Sequence, residues 1–341
     1  MNELVLVANA VDGTLSTLWL HRGIPDRLAP VAVTPGLPAC GTFAVDLAGR
    51  RVYAASVGPE GAAVVTLALD VEAGTLREVT RAPVPAKQTY LALAPDGRHL
   101  LGVSYGAGRG WVWPVSAEGV VGEAVAEFAY PNLHCVVTDG SVAYAVSLGA
   151  DLIAQFALGP GGSLTPLDPP TVAVAAGSGP RHLVLDGGQA YVSTEFSGEL
   201  VQLHRDRDGR LTLVDALVVA PLDQGLSHSR IGADPRGERL FWGADIHRTG
   251  GFVLTSERTS STIATTALGP GGALDRVVAR AGAPEQPRGF AVNRDGTRVV
   301  AVGERSTTAL LYRVEDDGEL TAIGEAPVGR GATWVEILPV G

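Results

Sequence analysis

The chain has 341 residues, with 36 acidic against 26 basic side chains and a formal net charge of -10. This balance excludes a broad attraction to nucleic-acid phosphates or anionic lipids, so we expect neither nucleic acid nor a membrane as a partner. The first residues carry no basic leader, and no stretch approaches the roughly 20 apolar residues of a membrane helix. We therefore expect a cytoplasmic protein.

One short apolar strand that ends in a small residue recurs seven times. Its copies are VLVAN (5–9), VYAAS (52–56), LLGVS (100–104), VAYAV (142–146), AYVST (190–194), GFVLT (251–255) and VVAVG (299–303). Their first residues are 47, 48, 42, 48, 61 and 48 positions apart. Steps of this size are typical of radially arranged four-stranded blades. The sequence therefore predicts an all-β, seven-bladed β-propeller with four-stranded antiparallel blades.

A second set of apolar strands precedes the turn before most copies of the first. Its members are FAVDL (43–47), YLALA (90–94), CVVTD (135–139), HLVLD (182–186) and FAVNR (290–294). We predict that these strands are innermost and line the central channel. The first strand has no innermost strand before it, and TWVEILPV (333–340) has no strand after it. We predict that this C-terminal strand completes the first blade and closes the ring.

The chain is expected to form one domain over residues 1–341. A length rule alone would suggest two domains, but radial repetition buries a continuous core, and no charged or Ser-rich linker divides the sequence. The step of 61 residues marks an insertion at about 222–243, which is either a functional loop or a surface elaboration. The two cysteines, Cys40 and Cys135, flank apolar strands and are expected to be buried free thiols.

Chemistry is expected where the loops lead into the innermost strands, because these loops converge on one mouth of the channel. Four of these segments carry polar residues that are unusual for tight turns, namely NLHC (132–135), GPRH (179–182), ADIH (244–247) and QPRG (286–289). The following strands add Glu195 and Arg258. Arg makes up 25 of the 26 basic residues, so a structural role remains an alternative for any single Arg. For His182 and His247, packing or hydrogen bonding at the rim is the alternative to catalysis.

Six segments in a fixed order resemble the lactonase family of seven-bladed propellers, which includes propeller-type 6-phosphogluconolactonases and fungal carboxymuconate cyclases. They are GPRHLV (179–184), YVSTEFSGELV (191–201), ADIH (244–247), SERTSSTI (256–263), EQPRGFAV (285–292) and VGRGATWV (328–335). TEF stands where the family usually has NEL, and ERT where it usually has DRT. The resemblance implies that the substrate is surrounded by His134, Arg181, Glu195, Arg258 and Arg288.

Hydrolysis of an anionic lactone such as 6-phosphogluconolactone fits these residue types. Either His134 or Glu195 would accept a proton from water, and Arg181 would polarise the carbonyl. Arg258 and Arg288 would hold a phosphate by paired hydrogen bonds. Further substrate-binding positions are expected at His182, Asp245, His247 and Gln286. No zinc-ligand spacing is present, and we expect neither a metal nor another cofactor.

Other functions stay open on the sequence alone. A different lactonase or a carboxymuconate cycloisomerase-like enzyme would use the same residues on another acid, and a non-catalytic propeller would serve as an interaction module. A six-bladed calcium lactonase is a further alternative, although seven units are present. We expect a monomer or a weak homodimer. Ser104 in GVSYG is disfavoured as a nucleophile, because strand-like sequence rather than a helix follows it.

Overall fold

Seven four-stranded antiparallel sheets form the molecule in a computed structural model, which describes residues 2–234 and 237–340. Blades 1 to 4 contain β1 (Asn2–Asn9), β2 (Thr14–His21), β3 (Arg27–Thr34) and the last strand β28 (Ala332–Pro339); β4 (Phe43–Asp46), β5 (Arg51–Gly58), β6 (Gly61–Asp70) and β7 (Thr75–Pro83); β8 (Tyr90–Leu93), β9 (His99–Ser104), β10 (Arg109–Pro114) and β11 (Ala126–Ala129); and β12 (Leu133–Thr138), β13 (Val142–Ser147), β14 (Leu152–Leu158) and β15 (Leu164–Ala173).

Blades 5 to 7 contain β16 (Pro180–Asp186), β17 (Gln189–Thr194), β18 (Glu199–Arg205) and β19 (Leu211–Val218); β20 (Gly243–Thr249), β21 (Phe252–Glu257), β22 (Thr262–Leu268) and β23 (Leu274–Gly282); and β24 (Gly289–Val292), β25 (Arg298–Val302), β26 (Thr308–Val314) and β27 (Leu320–Pro327). Two short 3-10 helices span Leu222–Gln224 and Pro270–Gly272. The predicted seven-bladed propeller is confirmed.

The ring closes through the C-terminal strand, as the sequence predicts. Strand β28 pairs antiparallel with β1, so that Leu4 lies opposite Leu338 and Val7 opposite Val335. The first blade is therefore built from both ends of the chain. This pairing removes the free sheet edge that an open ring would expose.

The hydrophobic core lies between neighbouring blades. Along β1, Leu4 and Leu6 pack into the cluster shared with blade 2, whereas Val5 and Val7 pack into the cluster shared with blade 7. Successive side chains of a strand point to opposite faces, and both faces of a blade are covered by its neighbours. This is why the second strand of each blade is a nearly continuous apolar run.

The insertion lies between β19 and β20 and carries little regular structure in its described part. After the first 3-10 helix, Ser227 and Leu240 form an isolated bridge. Leu240 and Trp242 are buried and pack with Phe196 and Leu148. This segment is therefore held against the ring by apolar contacts at its C-terminal end.

Both cysteines are buried free thiols, and burial raises the pKa of Cys40 and of Cys135 to about 12. No helix in the described part of the chain is long and apolar enough to cross a membrane.

Candidate active site

Three innermost strands are interrupted by β-bulges where they begin. The pairing register shifts between Leu133 and Cys135, between Pro180 and His182, and between Gly243 and Ile246. The displaced residues include His134, Arg181 and Asp245. A bulge re-aims its side chain away from the regular alternation of the strand. The expectation that these residues lie in loops before the strands was wrong, since each is the second or third residue of its strand.

A cavity of about 830 Å³ opens at this end of the channel. Four of the predicted site residues line it, namely His134, Glu195, Arg258 and Arg288. Glu195 directly follows β17, Arg258 directly follows β21, and Arg288 directly precedes β24. Blades 4 to 7 thus each contribute one of these side chains to the same cavity.

Glu195 links two arginines at the floor of the cavity. Arg181 Nε donates a hydrogen bond of 2.7 Å to Glu195 Oε2, and Arg258 Nη2 lies 3.0 Å from Oε1 as an ion pair. The side chains of Arg181 and Arg258 are only 1% and 8% exposed. Two buried cations therefore depend on one carboxylate.

Electrostatics keep Glu195 ionised. Burial alone would raise its pKa, but the positive charges of Arg258, Arg181 and Arg288 outweigh burial, and its pKa lies below the usual value. Burial lowers the pKa of Arg181 to about 10, which leaves its guanidinium charged at neutral pH. The cavity floor consequently holds a carboxylate surrounded by guanidinium groups.

His134 is buried and lacks a hydrogen-bond partner among the described residues, and its Nδ1 atom is enclosed. Burial, followed by the charges of Arg181 and His182, holds its pKa well below the usual value, so the imidazole is neutral. Its ring contacts those of Tyr105 and His182, with centroids 6.1 Å and 5.1 Å away. Aromatic neighbours thus fix the ring with Nδ1 enclosed, which leaves Nε2 as the nitrogen that can meet a ligand.

Arg258 and Arg288 form the cationic side of the cavity. Arg258 Nε is enclosed without a hydrogen-bond acceptor, Nη2 faces only the Glu195 carboxylate, and the guanidinium lies 5.3 Å from the Trp242 ring centroid. Arg288 Nη1 donates a 3.0 Å hydrogen bond to Glu304, and both of these side chains are partly exposed. Both arginines are therefore paired with a carboxylate, and each keeps further N–H groups that have no acceptor among the described residues.

The remaining predicted residues do not line this cavity. Arg181, His182 and Asp245 form a buried network connected to the cavity floor through Glu195. His247 approaches Asp245 at 3.4 Å, and Gln286 lines a neighbouring cavity of about 240 Å³. The central cavity and the predicted set therefore overlap only in part.

Other lining residues were missed by sequence reasoning. They include Gln88, Tyr105 and Glu304, the only lysine (Lys87), and residues 230–233 of the insertion. These residues lie in loops between strands and carry no distinctive pattern of their own. Trp242, at the C-terminal end of the insertion, also lines the cavity. Ser104 also lines the cavity, but β10 rather than a helix follows it, as expected.

Within residues 2–234 and 237–340, no group of three or more His, Cys, Asp or Glu side chains is arranged to hold a metal ion. The positively charged side chains that line the cavity are arginines and Lys87.

The fold and the site together define a class of protein, a closed seven-bladed propeller with arginine, glutamate and histidine side chains in its channel mouth. Residues 26–337 match the family described as Lactonase, 7-bladed beta-propeller, and the chain belongs to this family. It is 32% identical over 274 residues to a 6-phosphogluconolactonase of Serratia proteamaculans, an alignment that covers 78% of this chain and 79% of the relative. A 6-phosphogluconolactonase of Sodalis glossinidius is also 32% identical, with 81% and 82% covered.

Solved structures share the architecture. A putative 6-phosphogluconolactonase from Bacteroides uniformis superimposes with a TM-score of 0.84 at 25% identity and covers 99% of both chains. A periplasmic gluconolactonase from Pseudomonas aeruginosa superimposes with a TM-score of 0.86 at 23% identity over the full length of both chains. At that identity the second likeness supports the fold alone.

Proposed function

We propose that the protein hydrolyses 6-phosphogluconolactone to the open acid, the lactonase step of the pentose phosphate pathway. The observation that carries this proposal is the channel mouth, in which a neutral His134, an ionised Glu195 and Arg258 line one cavity and Arg181 bonds Glu195 from the buried side. The names of the relatives support the same substrate. An enclosed polar site of this kind also supports catalysis over an interaction module.

His134 is the proposed general base. Its imidazole is neutral and has no protein partner, so it can accept a proton from the attacking water. Glu195 is the weaker candidate, because both of its carboxylate oxygens already face guanidinium groups, whereas His134 has no protein partner. Glu195 then has the task of holding Arg181 and Arg258 in place.

Arg181 is the proposed donor to the lactone carbonyl. Water attack turns the carbonyl oxygen into an oxyanion, which a fixed cation in a buried site stabilises strongly. Arg181 Nε and Nη1 are occupied by Glu195, Ala244 and His182, whereas Nη2 has no acceptor among the described residues. The Nη2 hydrogens are therefore free for the substrate.

Arg258 and Arg288 are the proposed phosphate anchors. Both side chains line the cavity, and Arg258 Nε has no acceptor in the protein. Guanidinium groups match phosphate oxygens in pairs. Three arginines supply the positive charge that a metal ion would otherwise provide, which supports a metal-independent reaction.

A continuous assay tests the proposal. The purified protein is mixed with 6-phosphogluconolactone, and product is followed with 6-phosphogluconate dehydrogenase after subtraction of spontaneous hydrolysis, with and without chelator. We expect turnover that the chelator leaves unchanged. His134→Gln should lower kcat at least about 100-fold, whereas His228→Gln, an exposed histidine of the insertion, should not change it. The absence of turnover by the native chain would refute the proposal, and inhibition by chelator would refute metal independence.

A cytoplasmic, monomeric or weakly dimeric protein is part of the same proposal. Two buried free cysteines are compatible with a reducing compartment. Cell fractionation followed by size-exclusion chromatography with light scattering tests both statements. Recovery in the periplasm, or a stable oligomer larger than a dimer, would contradict them.

A further inference from the structure

Asp245 is buried, its carboxylate is hydrogen-bonded within the protein, and it does not line the cavity. Its Oδ1 accepts hydrogen bonds from His182 Nδ1 at 2.8 Å and from the Ile246 amide at 3.0 Å. Its Oδ2 accepts from the Phe290 amide at 3.1 Å. The carboxylate is buried, and it connects strands of blades 5, 6 and 7 at the base of the site.

The network fixes the tautomer of His182. Arg181 Nη1 lies 3.1 Å from His182 Nε2, and a guanidinium nitrogen can only donate. His182 Nε2 must therefore accept, which places the ring proton on Nδ1, where Asp245 receives it. A proton on Nε2 would instead set two donors against each other.

The orientation of Arg181 depends on this arrangement. One Nη1 hydrogen goes to His182 Nε2 and the other to the Ala244 carbonyl at 2.7 Å, while Nε donates to Glu195. A guanidinium with three of its five N–H groups engaged in this way cannot rotate freely. The direction of the two remaining N–H donors, on Nη2, is thereby fixed.

We propose that Asp245 is a positioning residue: through the tautomer of His182 it holds the Arg181 guanidinium with Nη2 directed at the substrate carbonyl. This role differs from the substrate contact that the sequence suggested for His182 and Asp245. It rests on the proposed function only in naming the carbonyl as the group that Arg181 meets. Fixing the tautomer through a buried carboxylate is a general way to control a histidine hydrogen bond.

The tautomer itself can be measured on the native protein. Long-range proton–nitrogen correlation spectra of protein labelled with ¹⁵N-histidine distinguish the two neutral tautomers from imidazolium. The signal of His182 is the one that disappears in His182→Phe. We expect a neutral ring protonated on Nδ1 at pH 7. An Nε2-protonated ring or an imidazolium would overturn the proposal, and this measurement does not depend on how any Asp245 variant folds.

A double-mutant cycle tests the functional part. Asp245→Asn replaces one of the two acceptor oxygens with an NH2 group. Either the His182 Nδ1–H or the Phe290 amide then faces another donor. We expect kcat to fall at least about tenfold with KM within about twofold, because misplacing an oxyanion donor costs transition-state binding. His182→Phe should cause a similar loss, and the double variant should be no worse than the worse single one.

Three results would overturn the role of Asp245. These are losses that multiply in the double variant, a raised KM with unchanged kcat for Asp245→Asn, and unchanged kinetics. Asp186→Asn is the matched control, since Asp186 also joins β16 to β20, through Arg248 at 2.8 Å, and should leave kinetics unchanged. If the native chain hydrolyses no lactone, the proposed function fails, while the tautomer of His182 still decides whether the network exists.

Discussion

Glu195→Gln is the substitution that most affects the cavity floor. It keeps the shape of the side chain but removes the charge that Arg181 and Arg258 share at 2.7 and 3.0 Å. A hydrogen bond to a charged group contributes about 1.5–3 kcal/mol. The variant retains one neutral acceptor and loses the second ion pair, so we expect a loss of about 2–4 kcal/mol in the free energy of unfolding.

This loss translates into a measurable change of melting temperature. Unfolding entropy is about 2.1 cal/mol/K per residue, or about 0.7 kcal/mol/K for 341 residues, so Tm should fall by about 3–6 °C. Because Arg181 also loses its fixed position, kcat should fall at least about 100-fold. Calorimetry and the coupled lactone assay measure the two effects.

The matched control is Glu72→Gln. Glu72 pairs with Arg50 at 2.9 Å, but both side chains are more than half exposed, and a surface pair of this kind contributes about 0–1 kcal/mol. The Tm of the Glu72→Gln protein should therefore stay within about 1.5 °C of the native value. Equal Tm values for the native protein and Glu195→Gln, or an unchanged kcat, would refute the reasoning about the cavity floor.

Three further outcomes follow from the structure. Arg288→Ala should raise KM about tenfold or more with a small change in kcat, whereas the exposed Arg77→Ala should change neither; a fall in kcat alone would contradict a binding role. Burial raises the pKa of Glu336 to about 7, so the folded chain keeps a proton that the unfolded chain releases near pH 4.5. The stability of the native chain relative to Glu336→Gln, measured by urea unfolding, should then decrease as the pH rises from about 4.5 to about 7; a difference between the two that does not change with pH would contradict it. Deleting residues 333–341 should leave an insoluble or unfolded chain, and a soluble monomer would count against ring closure.

The repeat made most of the fold predictable. Strands β5, β9 and β13 lie within two residues of their predicted bounds, because each is an apolar run bounded by turns. The innermost strand of blade 6 was not predicted, since the polar residues at 244–247 resemble a turn. They belong to β20, where a bulge accommodates them.

The site was predictable only in outline. Residue types and family motifs pointed to His134, Glu195 and Arg258, which do line one cavity. They did not indicate that His182 and Asp245 lie outside the cavity and form a hydrogen bond with each other. These two residues are 63 positions apart in the chain, so no local pattern links them. Such pairing depends on bulges and on the angle between blades, which leave no pattern in the sequence.

A crystal structure of the protein with 6-phosphogluconate, the product of the proposed reaction, tests the central claim most directly. We predict that the carboxylate formed from the lactone carbonyl contacts Arg181 Nη2 near His134, and that the phosphate lies between Arg258 and Arg288. A product molecule bound with its phosphate away from both arginines, or at the opposite end of the channel, would contradict the account.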